Sequence, residues 1–192
     1  EFKSYCTLIL VGILFVTWGL TQVSENGDAG QAFRSAAFTV VSIHTTTGFV
    51  TDDFNLWPEY LKLFIVVIMM VGGCSGSTSG SFKVIRLIIL LKIIMRELKK
   101  LVHPRAIFHV KVGDKTIDAD DLSNVAALTF LFIGFSALGG ILLSAMGVDL
   151  TTALTATVAS LFNIGPGLGT VGAMGNYSEI PAMGKGIIIL FM

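Results

Sequence analysis

The sequence predicts an all-α integral membrane protein with two similar repeats, each made of a spanning helix, a short re-entrant helix with its turn, and a second span. The first observation is composition: 53% of the 192 residues are hydrophobic and 14% are charged, with a mean hydropathy of +0.80. The second is that three stretches, Leu63–Phe82, Leu122–Val148 and Leu150–Ser178, contain no Asp, Glu, Lys or Arg. Each reaches the length of about 20 residues that a helix needs to cross a bilayer core.

The first predicted repeat begins with an apolar run from Tyr5 to Val23, which is long enough to cross the membrane once. The run Ala29–Ser42 has the length of a helix but is too polar and too short to span. A re-entrant helix of this kind is tolerated at membrane depth only where protein or a water-filled cavity surrounds it. It leads into the turn Thr45–Phe49, and Pro58 marks the first turn of the next helix, where its missing N–H would be unpaired anyway.

A break is predicted inside the second span of this repeat. As one helix, Pro58–Val102 would be about 68 Å long, which is about twice the thickness of a hydrocarbon core. The ten residues Gly72–Ser81 include four glycines and four serines, which do not sustain a regular helix. We therefore expect an upper helix over 58–71, a loop inside the membrane, and a lower helix over 82–102 that runs into the cytoplasm.

The distribution of charge predicts the orientation. Positions 83–118 contain nine basic and three acidic residues, whereas positions 23–60 contain five acidic residues and Arg34. Since basic residues favour the cytoplasmic side of spans, 83–118 is predicted inside and 23–60 outside. Alternation within 107–117 predicts a cytoplasmic β-hairpin. We expect Arg34 to be ion-paired, with Asp28 as the candidate partner.

The order of elements recurs in the second half of the chain. A span over 122–147 is followed by a helix start at Asp149, a weakly polar run to Phe162 and the glycine-rich turn Asn163–Gly169. Pro181 then opens another apolar segment, as Pro58 does in the first half. The predicted units are 1–105, a cytoplasmic connection over 106–120, and 121–192, with a truncated last span.

The two turns define the repeat but not its register. Aligning Gly48 with Gly165 gives a period of 117 residues, and aligning it with Gly167 gives 119, so both alignments stay open. Both turns fall on the outer side of the membrane, as two units of the same topology require.

The turns have the chemistry of a cation filter. A threonine row that ends in glycine can aim consecutive backbone carbonyls at one point, as a dehydrated alkali cation requires. Neither turn carries the carboxylates typical of a divalent-ion filter, and the C-terminal ends of the re-entrant helices would add a favourable negative potential. The candidate ion-binding residues, through their backbone, are Thr45, Thr46, Thr47, Gly48, Phe49, Asn163, Ile164, Gly165, Pro166 and Gly167.

In the sequences of its two turns and of its predicted intramembrane loop, the chain resembles the TrkH, KtrB and HKT superfamily of potassium transporters. The Thr45–Phe49 turn is similar to the third-repeat filter, the Asn163–Gly169 turn to the fourth-repeat filter, and Gly72–Ser81 to the family's intramembrane loop. The resemblance implies a gate formed by Gly72, Gly73, Cys74, Ser75, Gly76, Ser77, Thr78, Ser79, Gly80 and Ser81.

The same resemblance implies how the protein works and what it binds. The fold would be the potassium-channel-like membrane–pore-helix–membrane repeat, and the function K⁺ uptake across the bacterial inner membrane, without enzymatic activity or a bound cofactor. The expected partners are the other two repeats of the same polypeptide, a second copy in a homodimer, a cytosolic nucleotide-binding regulatory ring of the TrkA or RCK type, and membrane lipids. Nucleic acid is not among them.

Two other functions fit parts of the sequence. A carrier with broken helices could move another solute or Na⁺. Such carriers usually place a charged or hydrogen-bonding side chain near the midplane, and within 63–82 only the Ser/Thr loop offers one. Gly73–Gly76 also fits the G-x-S-G pattern of intramembrane serine proteases. A protease needs a histidine at matching depth. His44 is at the outer turn, where a hydrogen-bonding role in bracing that turn is expected, and His103 and His109 follow the basic cytoplasmic run, so none is well placed.

Overall fold

The computed structural model describes residues 1–23, 28–103, 110–112 and 115–192, which form a helical membrane fold. The helices in chain order are α1 (Phe2–Val23), α2 (Ala29–His44), α3 (Glu59–Met70), α4 (Val84–Val102), α5 (Ala119–Ala145), α6 (Leu150–Leu161) and α7 (Ala182–Phe191). Short 3₁₀ turns cover Phe54–Leu56, Gly169–Val171 and Tyr177–Glu179.

The predicted break in the second span is confirmed. Helix α3 ends at Met70, helix α4 begins at Val84, and residues 72–81 between them contain no helix. Within the described residues, two stretches are long and apolar enough to cross a membrane by length and composition, α1 and Asp120–Ala145 within α5. Their outer faces carry large apolar side chains, such as Trp18 and Phe130, which are 58% and 83% exposed, as expected of residues that face lipid.

The segment between α4 and α5 contains a short pair of strands within the range predicted for the hairpin. Strands β1 (Lys111–Val112) and β2 (Lys115–Thr116) are antiparallel, and Lys111 is paired with Thr116. The turn residues 113–114 and the predicted hairpin residues 107–109 lie outside the described residues.

Each repeat packs its first span against its re-entrant helix. Helix α2 contacts α1 and α3, and helix α6 contacts α5 and α7. The two repeats meet where α3 contacts α6 and α4 contacts α5. An aromatic row crosses this boundary, because Phe132 lies 6.0 Å from Phe82 and 5.1 Å from Phe162 between ring centroids. The main core therefore spans both repeats rather than lying within one.

Candidate cation site at the two glycine turns

The two turns have the same backbone conformation at equivalent positions. Thr46 and Asn163 have positive φ angles of 56° and 53°, although neither is glycine. Two residues later, Gly48 and Gly165 have φ angles of 75° and 108°. Both pairs are separated by 117 residues, so the structure aligns Gly48 with Gly165 and decides the register that the sequence left open.

Equivalent hydrogen bonds close the two turns. In the first turn, the amide of Thr46 donates to the carbonyl of Ile43 at 3.0 Å, and the amide of Thr47 donates to the carbonyl of Ser42 at 2.9 Å. The residues 117 positions later form the same two bonds, at 3.0 and 2.8 Å. The repeat predicted from element order is therefore also a repeat of atomic geometry.

The turns lie at the C-terminal ends of two capped helices. The Asp28 carboxylate accepts backbone N–H bonds of 3.0 and 3.2 Å at the start of α2, and Asp149 accepts bonds of 3.1 and 3.3 Å at the start of α6. The expected pairing of Asp28 with Arg34 is not formed, since Asp28 caps the helix and Arg34 makes no ion pair within the described ranges. The partially negative C-terminal ends of α2 and α6 are thus at the turns.

The two turns are in direct contact. A Cβ atom on Gly48 would lie 2.0 Å from the carbonyl oxygen of Ile164 and 3.3 Å from Cδ of Pro166. Gly48 is therefore a glycine for two reasons, its positive φ angle and the backbone of the second turn beside it. A Cβ atom on Gly165 would meet no atom within 4 Å.

The first turn is held mainly by its own hydroxyl groups. Ser42 Oγ donates to the carbonyl of Phe49 at 2.6 Å, and the hydroxyls of Thr45 and Thr47 are 2.8 Å apart. Thr45 Oγ1 also donates to the carbonyl of Val41 at 2.8 Å. The threonine side chains therefore support the turn, and the ring of Phe49 is 71% exposed.

The second turn is held by side chains from outside it. Thr155 Oγ1, buried in α6, accepts a bond from the amide of Leu168 at 2.9 Å. Thr152 Oγ1 accepts a bond from the amide of Thr170 at 3.2 Å. The Tyr177 hydroxyl donates to the carbonyl of Gly165 at 2.5 Å. Burial raises the pKa of Tyr177, so this hydroxyl stays protonated and able to donate.

Asn55 joins the two repeats and was not predicted as a functional residue. Its Oδ1 accepts from the amide of Gly169 at 3.0 Å, and its Nδ2 donates to the carbonyl of the same residue at 3.1 Å. A Cβ atom on Gly172 would lie 1.8 Å from Asn55 Nδ2, so the loop fits closely around the amide.

The glycine- and serine-rich segment 72–81, called the intramembrane segment below, contacts the ends of both re-entrant helices. A Cβ atom on Gly72 would lie 2.2 Å from the carbonyl oxygen of His44, the last residue of α2. A Cβ atom on Gly80 would lie 2.6 Å from the carbonyl oxygen of Phe162, which follows α6. Backbone bonds between Met70 or Gly72 and Phe82 close the segment into a loop. Its two ends therefore lie beside the two turns.

The described residues show no serine–histidine pair of a protease at the intramembrane segment. Ser75 is exposed, and its backbone amide donates to the Glu1 carboxylate. The His44 ring is buried and stacked on Tyr5 at 5.2 Å, with no hydrogen-bond partner for either ring nitrogen among the described residues. The expectation that His44 braces the turn by hydrogen bonds is therefore wrong. His103 follows the end of α4, and His109 lies outside the described residues.

Comparison with known proteins decides the family. A family model described as TrkH, a cation transport protein, matches residues 5–192. The chain belongs to the TrkH family. The resemblance stated from the sequence and the predicted all-α membrane fold are therefore confirmed.

Named relatives agree with this assignment. The TrkH potassium uptake protein of Halomonas elongata is 37% identical over 190 residues, which are 98% of this chain and 39% of the relative. The corresponding TrkH protein of Escherichia coli K12 is 34% identical over 192 residues, which are 100% of this chain and 39% of the relative. The crystal structure of the potassium transporter TrkH from Vibrio parahaemolyticus superposes with a TM-score of 0.90 at 33% identity, over 100% of this chain and 40% of that one. This TrkH-family chain thus spans about two fifths of the length of the relatives it matches.

Proposed function

We propose that this chain supplies two neighbouring quarters of a potassium filter, and that the complete protein takes up K⁺. The observation that carries the proposal is the shared backbone of the two turns, which are in contact through Gly48 and Ile164. Carbonyls of Thr46, Thr47 and Gly48, and of the residues 117 positions later, would replace the hydration shell of the ion. The names of the relatives, Trk system potassium uptake proteins, support K⁺ as that ion.

The filter proposal requires further repeats. Two turns supply half of a fourfold ring, and a Cβ atom on Gly165 would meet no atom within 4 Å. We assign 1–105 and 121–192 as the third and fourth repeats, joined by the connection 106–120. Two more repeats of the same polypeptide would complete the ring, in an inner-membrane homodimer that docks a nucleotide-binding regulatory ring on its cytosolic face.

The intramembrane segment is proposed as the gate of this pathway. The support is that its ends contact the backbone carbonyls of His44, at the end of α2, and of Phe162, just after α6. In this proposal it lies on the cytosolic side of the turns. A polar loop at that position obstructs an ion until the lower helix α4 moves. The protease alternative has no support from a serine–histidine pair in the described part of the chain, and the named relatives are transport proteins.

Ion binding can be tested directly on the complete polypeptide. Crystals or cryo-EM samples prepared in K⁺, and in parallel in Na⁺, should show ordered density between the two turns in K⁺ only. Replacing K⁺ with Tl⁺ should give anomalous signal at the same position. Equal density in K⁺ and Na⁺ would contradict the filter as proposed.

Transport provides the second test. Deleting several residues from the intramembrane segment should raise K⁺ flux into proteoliposomes, because the obstruction is shortened. Unchanged flux in a correctly folded deletion variant would contradict the gate while leaving the filter proposal in place.

A further inference from the structure

Lys83 lies immediately before α4, and its side chain is folded back onto the intramembrane segment. Its Nζ atom donates to the carbonyl of Ser77 at 2.8 Å, to the hydroxyl of Ser77 at 3.1 Å, and to the carbonyl of Ser79 at 2.6 Å. A lysine ammonium has three N–H donors and no acceptor. These three oxygens therefore satisfy the ammonium completely.

The contacts also satisfy the segment. Among the described residues, no backbone N–H donates to the carbonyl of Ser77 or of Ser79, so Lys83 is the group that pairs them. The bond to the Ser79 carbonyl is half-buried, where an unpaired carbonyl is costly, whereas Ser77 is exposed. Removing the ammonium would free two carbonyls in the middle of the segment and leave only its ends anchored.

The usual reasons for a basic residue do not account for Lys83. A cation is disfavoured near a helix N-terminus, and Lys83 forms no side-chain cap on α4. Basic residues of the cytoplasmic part of α4, such as Lys92, follow from the positive-inside rule. Lys83 lies about 14 Å further from that side along the helix, at 1.5 Å per residue, where a charge is costly unless it is paired.

The anchoring points together span the segment. One end contacts the carbonyl of His44 through Gly72, the other contacts the carbonyl of Phe162 through Gly80, and Lys83 fixes the residues between them. Because Lys83 is continuous with α4, a movement of that helix would withdraw the ammonium from the segment.

We propose that Lys83 is the positioning residue that holds the intramembrane segment in its obstructing conformation, by binding the carbonyls of Ser77 and Ser79. The proposal rests on the proposed function of this segment as a gate. Loss of the ammonium therefore raises basal K⁺ flux, whereas loss of a residue with a merely structural role would lower it. The filter is untouched, so the ratio of K⁺ to Na⁺ flux stays the same.

The test uses Lys83→Met, which removes the ammonium and keeps a long side chain. Lys92→Met is the matched control, because it removes a charge from the same helix and its Nζ contacts the carbonyl of Lys111 rather than the segment. The complete polypeptide is reconstituted without its regulatory partner, and ⁸⁶Rb⁺ and ²²Na⁺ uptake are measured. We expect a several-fold rise in basal Rb⁺ uptake for Lys83→Met, none for Lys92→Met, and near-normal uptake for Lys83→Arg. Wild-type uptake by a folded Lys83→Met protein would overturn the proposal.

A second measurement does not depend on transport. Cys74 lies in the segment, so its rate of reaction with a small water-soluble thiol reagent reports how firmly the segment is held; exposed Cys6 is first replaced by Ala. Lys83→Met, or Lys83→Gln should the first variant fail to fold, is expected to accelerate labelling of Cys74 several-fold. An unchanged rate would overturn the positioning role. Absence of K⁺ uptake by the wild-type protein would overturn the proposed function but leave the labelling result readable.

Discussion

The first turn, Thr45–Phe49, and the second turn, Asn163–Gly169, have similar backbones and different supports. The first follows a re-entrant helix of 16 residues and is held by hydroxyls of Ser42, Thr45 and Thr47. The second follows a helix of 12 residues and is held by side chains of α6 and of the loops that follow each turn. The feature shared by the two repeats is thus the left-handed backbone and the hydrogen bonds of the turn, and the side chains that support it differ.

The comparison also shows that the first turn depends on the second. Gly48 lies against the carbonyl of Ile164, and Asn55, in the loop after the first turn, binds the backbone of Gly169 after the second. The repeats therefore contact each other at two levels, at the turns and in the outer loops. Changes at these contacts should affect both turns, whereas changes in the supports should affect one.

The largest loss of K⁺ selectivity is expected from a change at Gly48, where the two turns are in contact. Gly48→Ser introduces a Cβ atom 2.0 Å from the carbonyl oxygen of Ile164, and backbone on both sides cannot yield without moving that carbonyl. We expect the ratio of K⁺ to Na⁺ uptake to fall about tenfold or more, equivalent to about 1.4 kcal/mol of lost discrimination. Rb⁺ and Na⁺ uptake into proteoliposomes measures the ratio.

Gly147→Ser is the matched control for this change. Gly147 has a φ angle of 89°, close to the 75° of Gly48, but a Cβ atom there meets nothing within 4 Å. In both variants a serine at a positive φ angle is strained by about 1–2 kcal/mol, but only in Gly48→Ser does the new Cβ atom also contact the second turn. Equal selectivity in the two variants would mean that strain, and not contact between the turns, makes Gly48 necessary.

A smaller loss of stability and selectivity is expected from a change at Thr155, which supports the second turn. Thr155→Val keeps the shape of the side chain but leaves the amide of Leu168 without its acceptor in a buried position. Leaving such a group unpaired costs about 1–3 kcal/mol, so the thermal unfolding temperature and the selectivity should both fall. Thr157→Val is the control, because Thr157 is also buried in α6 and, among the described residues, its hydroxyl donates only to the carbonyl of Ala153. Similar losses in both variants would contradict a specific role for Thr155.

The sequence predicted elements better than the contacts between them. Hydropathy and the glycine–serine content of 72–81 were sufficient for the spans and the break, because those depend on local composition. The register of the second turn was not decided, since Gly165 and Gly167 are both glycines. The deciding feature is the left-handed conformation of Asn163, a residue type that tolerates it better than most, so this signal was present and unused.

Contacts across long separations were the part that the sequence could not supply. Asn55 and Gly169 are 114 residues apart, and no periodicity relates them. Lys83 was grouped with the other basic residues of the lower helix, because charge counts do not show which lysine turns back toward the membrane. Asp28 was assigned to Arg34 by charge, although an aspartate directly before a helix is also a capping signal.

A smaller effect is expected from separating the outer loops. Asn55→Leu keeps the volume of the side chain and removes both bonds to the backbone of Gly169. Gly169 is exposed, so water can replace the lost partners. The free energy that holds the two loops together should therefore fall by only about 1 kcal/mol. A several-fold fall in the K⁺ to Na⁺ uptake ratio, with little change in unfolding temperature, would show that the outer contact aligns the turns. Asn176→Leu, which removes only a local cap on Ser178, is the control and should keep the ratio.

The smallest effect is expected from the bond on the second turn itself. Tyr177→Phe removes the hydroxyl that donates to the carbonyl of Gly165 at 2.5 Å, worth about 0.5–1.5 kcal/mol. Because burial raises the pKa of Tyr177 above its ordinary value of 10.0, the neutral donor is present throughout the range from about pH 6 to pH 9, where tyrosine does not ionise. The difference between wild type and Tyr177→Phe in K⁺ affinity should therefore be two- to about tenfold and constant over that range. Tyr60→Phe is the control, because it removes a longer contact of 3.4 Å to the carbonyl of Gly19, and it should leave the K⁺ affinity unchanged.

If the difference in K⁺ affinity between wild type and Tyr177→Phe disappeared below pH 9, Tyr177 would act through its charge and not through its hydrogen bond.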